Sequence, residues 1–152
     1  EEAREVFYNR FRAIHLERLA VHDGAEAMLA ALYDRGAYLG VVSNKMGDHL
    51  RQEANHLGWS KYFGQIIGAM DAHKDKPAVE TVHMALAGSG IEPGPHVWFV
   101  GDTGIDLECA QNAGCLKILV REEAPSGGEF TQYYPDMHFS NCEELRELVL
   151  RL

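Results

Sequence analysis

The sequence predicts an α/β protein in three layers, a parallel sheet between helices. Three observations carry this. Short apolar runs, VWFV (97–100) and LKILV (116–120) above all, are apolar throughout rather than alternating, as strands covered on both faces are. They alternate with helical stretches of about ten residues, the pattern of crossover connections between parallel strands. Finally, two of them run directly into polar groups: GVV into Ser43-Asn44, and WFV into Gly101-Asp102. In open α/β sheets that carboxyl edge is where ligands bind.

Taken in order, residues 3–19 place Ala3, Phe7, Phe11 and Ile14 at helical steps of three to four, and Asp23-Gly24 ends that helix. A second helix over about 25–35 groups Met28, Leu29 and Leu32 and stops at Gly36. YLGVVSN gives a buried strand over about 38–42, followed by a polar helix over about 46–57 that ends at Leu57-Gly58, and QIIG (65–68) gives a second strand. Pro77 suits the first turn of a helix that VETVHMAL continues to Gly88. IEPGP is a turn, VWFV a strand, IDLECAQNA a helix closed by Gly114, and LKILV a strand. Pro125, Ser126, Gly127, Gly128 and Pro135 mark 122–136 as a loop. Ser140 and Glu143, three apart, resemble a capping box before CEELRELVLRL.

Composition narrows the function. At 152 residues the chain is the size of one domain, and its 46% apolar and 24% charged residues are ordinary for a globular one. A formal charge of −9 argues against a nucleic-acid backbone as partner, which needs a basic stripe. No apolar run approaches a membrane span, and no basic segment leads into a secretory apolar core. Three cysteines (Cys109, Cys115, Cys142) without CxxC spacing fit free thiols in a reducing compartment, so a cytoplasmic location is expected. The eight histidines form no HExxH pattern that points to zinc.

Each polar candidate has a plain reading. Asp102 suits the N-cap of the following helix, Asp106 is a favourable charge in its first turn, Ser43 ends a strand, and Lys76 sits in a basic HKDK stretch. In combination they say more. A serine closing an apolar strand (VVSN), a Lys-Pro pair (Lys76-Pro77) and GDTGID follow one another at spacings of 33 and 26 residues. This set resembles motifs two, three and four of the haloacid dehalogenase superfamily of hydrolases. YLGVVSNK, KPAVETVHMAL and VGDTGIDLECAQNAG look most like its phosphoglycolate-phosphatase branch.

The resemblance implies a Rossmann-like core with a helical cap, Mg²⁺ as cofactor and a small phosphorylated metabolite as substrate. It implies that Ser43, the Asn44 N–H and Lys76 bind phosphate, that Asp102 ligates Mg²⁺, and that Asp106 reaches the metal or orients Lys76. The family's first motif, DxD at the end of the central strand, has no match here. Residues 1–22 then read as the end of the cap and 23–152 as a core lacking its first strand, the portion of a longer phosphatase that works through an aspartyl-phosphate. Two other readings stay open: a phosphate- or partner-binding module without the nucleophile, and a structural domain in which Asp102 only caps a helix. Neither the particular phosphomonoester nor the oligomeric state is readable.

Overall fold

In the computed structural model the described residues are 16 and 19–152. The helix expected over 3–19, and with it most of the proposed cap remnant, lies outside them. The elements run α1 (Ala25–Asp34), β1 (Gly40–Met46), α2 (Gly47–His56), β2 (Gln65–Ala69), α3 (Glu80–Leu86), β3 (Trp98–Gly101), α4 (Gly104–Asn112), β4 (Leu116–Val120), β5 (Met137–Phe139) and α5 (Cys142–Arg151). A short 3₁₀ turn, Ser60–Tyr62, precedes β2.

All strand pairing is parallel, as the apolar runs require, but the sheet is split. β1 pairs with β2, while β3, β4 and β5 form a separate three-stranded sheet in that order. Between β1 and β3 lies a cavity of about 130 Å³ whose walls include Val42 on one side and Trp98, Phe99 and Val100 on the other. Its remaining lining includes Val82, Ala85 and Leu86 from α3. That helix joins the halves: Val82 packs with Cys109 and Ala110 of α4 and with Cys115 in one buried cluster, flanked by Val97 and Phe99. Helices α2 and α3 pack on β1 and β2, α4 packs on β3 and β4, and α1 packs against α5.

Two local expectations are corrected, and one element is added. The helix after Pro77 begins only at Glu80, because residues 75–79 first make a turn in which the Ala78 N–H donates to the Asp75 carbonyl. The cap of α5 is Asn141, not Ser140: its Oδ1 accepts from the Glu144 N–H at 2.9 Å, and Glu144 returns to the Ser140 N–H at 2.7 Å. The cap thus sits one residue later than expected, and the Glu144 carboxylate reaches past it to the preceding N–H rather than closing a reciprocal box. Met137–Phe139, between that loop and the last helix, is a strand the sequence reading did not name, held by β4 on one side.

β1 departs from its ladder where the polar residues begin. Val42 is opposite Ile67 but Met46 is opposite Ala69, so β1 spends two extra residues between those pairs. The bulge frees Ser43–Lys45 from strict pairing, the usual way a sheet edge re-aims side chains. It also brings β1 close to β2. A Cβ on Gly68 would collide with the Gly47 backbone and the Lys45 carbonyl. Gly68→Ala is therefore expected to lower stability by about 1–3 kcal/mol, the range for overpacking. Urea denaturation of the variant beside the parent checks this.

Candidate active site

A continuous set of bonds links Asn44, Lys76 and Asp106 across the two half-sheets, with Ser43 next to Asn44 in the chain. Ser43 ends the regular part of β1, and its Oγ accepts the Lys45 N–H at 3.2 Å, which leaves the hydroxyl hydrogen to donate elsewhere. Asn44 turns toward the segment after β2. Its Oδ1 accepts the Lys76 N–H at 3.1 Å and its Nδ2 donates to the Lys76 carbonyl at 3.3 Å. Lys76 then crosses to the other half-sheet, where its Nζ donates to Asp106 Oδ1 at 2.5 Å. The pair is well shielded, with side chains 12% and 8% exposed.

Asp106 is fully engaged. Its second oxygen accepts from the Asp102 N–H (3.1 Å), the Thr103 N–H (3.1 Å) and the Thr103 hydroxyl (3.0 Å). The bend that allows this requires Gly101, since a Cβ there would overlap the Asp106 carboxylate. The glycine of GD is thus a matter of space for the aspartate five residues on. The N-cap of α4 is Thr103, so the capping reading of Asp102 is corrected. Asp102 lies one residue before that cap, exposed, and among the described residues its carboxylate has no hydrogen-bond partner.

A third strand end contributes a cation. Arg121 follows β4, and Glu129 grips its guanidinium with two bonds of 2.9 and 2.6 Å over the Phe130 ring. Glu129 is the main reason the guanidinium is held further toward its charged form, and the Asp102 charge adds to it. Below the lysine, burial pushes the Cys109 thiol above its ordinary value, against a smaller opposing effect of the Thr81 hydroxyl. The cysteine is packing, with its Sγ 3.6 Å from the Ala78 carbonyl. No group of three or more His, Cys, Asp or Glu placed to hold a metal occurs among the described residues. No helix among them is long and apolar enough to cross a membrane.

Sequence reasoning brought Ser43, Asn44, Lys76, Asp102 and Asp106 together but missed two partners. Thr103 was legible as a Thr-x-x-Asp box, one residue past the aspartate chosen as cap. The Asn44 side chain left no signal, because its partner is the backbone of a residue 32 positions away.

Comparison with known proteins places the chain in a family. A family model described as haloacid dehalogenase-like hydrolase matches residues 1–120. The pyrophosphatase PpaX of Listeria innocua is 28% identical over 149 residues, covering 97% of this chain and 68% of that protein. The phosphoglycolate phosphatase of Salmonella paratyphi A is 29% identical over 117 residues, covering 77% of this chain and 46% of that protein. Among solved structures, a HAD-superfamily hydrolase from Ehrlichia chaffeensis superposes with TM-score 0.76 at 33% identity, covering 89% of this chain and 60% of that one. A HAD phosphatase from Thermococcus onnurineus shares the fold, with TM-score 0.80 at 23% identity over 93% of this chain and 64% of that one. The chain thus spans between about half and two thirds of the length of these relatives. Motifs, fold and family model agree: the chain belongs to the haloacid dehalogenase-like hydrolase family.

Proposed function

We propose that these residues serve the hydrolysis of a small phosphomonoester, in the manner of the phosphoglycolate phosphatases, within a longer protein that supplies the nucleophile. The observation that supports it best is the Lys76–Asp106 pair set beside the bulged Ser43-Asn44 and the uncommitted Asp102. A lysine shielded at a sheet edge, held at its tip by a carboxylate, is built to balance charge rather than to solubilise a surface. Around a phosphoryl group, Ser43 Oγ and the Asn44 N–H donate hydrogen bonds and the Lys76 ammonium offsets negative charge. In a loose phosphoryl-transfer transition state, such positioning and electrostatics are most of what the protein contributes.

The donor set suits Mg²⁺ in part. Asp102 offers a hard oxygen ligand at the right edge, while both Asp106 oxygens are already occupied. Asp102 is therefore the residue of this chain that would hold the ion, with further ligands from elsewhere, and Asp106 the residue that orients Lys76. The ion supplies charge neutralisation at the phosphate. The nucleophilic aspartate, which takes the phosphoryl group as an aspartyl-phosphate before water releases it, belongs to a strand suited to the slot between β1 and β3. That slot is apolar on both walls, and among the described residues the facing edges of β1 and β3 are unpaired.

The expected outcome follows directly. Residues 1–152 alone hydrolyse no phosphomonoester, and the gene product extended through a DxD-bearing strand does so with Mg²⁺. Phosphate release from a panel of phosphomonoesters, phosphoglycolate and pyrophosphate included, measured for both proteins, checks it. Turnover by residues 1–152 alone overturns the missing-nucleophile reading. An inert extended protein that still binds inorganic phosphate favours the alternative, a phosphate-binding module.

A further inference from the structure

We infer that the Asn44 side chain is a positioning residue: it fixes the backbone of Lys76, and through it the ammonium, and does not contact the phosphoryl group. The inference rests on the phosphatase reading for its catalytic consequence and on geometry alone for the clamp. The carboxamide makes a reciprocal pair of bonds with one residue, taking the N–H of Lys76 and giving to its carbonyl. This is the pairing a neighbouring strand would make, delivered by a side chain. The orientation of the amide follows from its partners, since an N–H needs the oxygen and a carbonyl needs the nitrogen.

The need for the clamp is visible in the chain around it. Lys76 follows residues 70–75, which belong to no helix or strand, and α3 begins four residues later. The neighbours have their own ties: Asp75 Oδ1 accepts the Met70 N–H at 3.0 Å, and Asn112 Nδ2 donates to the Pro77 carbonyl at 3.1 Å. Among the described residues, Asn44 alone ties the Lys76 backbone to a strand. The β1 bulge is what turns Asn44 out of the ladder to do this. A lysine anchored at its backbone by one half-sheet and at its tip by the other keeps little of the rotational freedom long side chains ordinarily retain. The position of its charge is thereby set before substrate arrives.

Nδ2 keeps one further hydrogen, so direct phosphate contact is the rival the experiment must separate. In residues 1–152, amide hydrogen exchange is measured for the parent, Asn44→Ala and Asn44→Asp. Protection of the Lys76 N–H is expected to fall at least tenfold in Asn44→Ala and to persist in Asn44→Asp, which keeps an acceptor oxygen. Val42 and Ile67 serve as folding controls. Equal Lys76 protection in parent and Asn44→Ala overturns the clamp. In the extended protein, Asn44→Ala is expected to lower kcat by about 10- to 100-fold, the scale for a misplaced group, with KM and phosphate inhibition near the parent's. Added to Lys76→Ala, it should cost less than a further twofold, because its effect passes through the lysine. A raised KM with unchanged kcat, or full additivity with Lys76→Ala, overturns the positioning role. An inactive extended parent rejects the phosphatase reading instead, and the exchange result still decides the clamp.

Discussion

Asp106→Ala is expected to cost residues 1–152 about 3–5 kcal/mol, the range for breaking a buried ion pair by removing one partner. The carboxylate does two jobs at once. One oxygen faces the Lys76 ammonium, and the other satisfies two backbone N–H groups and a hydroxyl at the start of α4. Truncation strands a shielded cation and also takes the acceptor from three part-buried donors at the start of α4. Lys76→Met should cost less, because the bonds to Asp102 and Thr103 survive and a thioether fills the space. Asp106→Asn with Lys76→Met removes both charges and should recover part of the Asp106→Ala loss. Guanidinium denaturation of the four proteins measures this. A loss below about 1 kcal/mol for Asp106→Ala would mean that the carboxylate is not the buried hub its four bonds describe.

Asp102→Asn should do the opposite, sparing stability and removing activity. Asp102 is exposed and lies outside α4, whose cap is Thr103, so the fold loses well under about 1 kcal/mol. If the Asp102 carboxylate faces Mg²⁺ in the extended protein, kcat/KM falls by roughly 10²–10³, the scale for losing one preorganised electrostatic group. Raising Mg²⁺ restores part of that loss, since weaker binding is offset by mass action. The measurement is kcat/KM across a magnesium series with melting curves as control. Near-parental rates at low magnesium would leave Asp102 without a catalytic part.

Much of the fold was legible in the sequence. Continuous apolar runs bounded by glycine and polar residues gave β1 to β4 within a few residues, and the edge carrying the polar candidates followed from where those runs stop. What was lost has identifiable reasons. β5 is only three residues, MHF, with a histidine in the middle, so neither length nor alternation marks it. The choice between Asp102 and Thr103 as cap, or between Ser140 and Asn141, turns on a one-residue shift of a shared motif. Sequence spacing also says nothing about lateral order, so the division of the sheet rested on the family resemblance rather than on the residues. The Asn44 clamp was invisible for a related reason, since half of it is backbone.

The divided sheet has a consequence for how the chain assembles. Each half closes over short stretches of sequence: Gly40 finds Gln65, Trp98 finds Leu116, and Ile118 finds Met137, partners 25, 18 and 19 residues apart. Pairings this local carry little loop-closure penalty and belong to the fast end of parallel-sheet formation. The slow event is their mutual docking, which has α3 to guide it and the Lys76–Asp106 bond to lock it. Folding in two stages is the expected kinetic signature, with α3 substitutions such as Val82→Ala slowing the second stage and leaving the first unchanged. On the proposed function, Lys76 would reach its working position only when the last tertiary step is complete, so competence and final assembly arrive together.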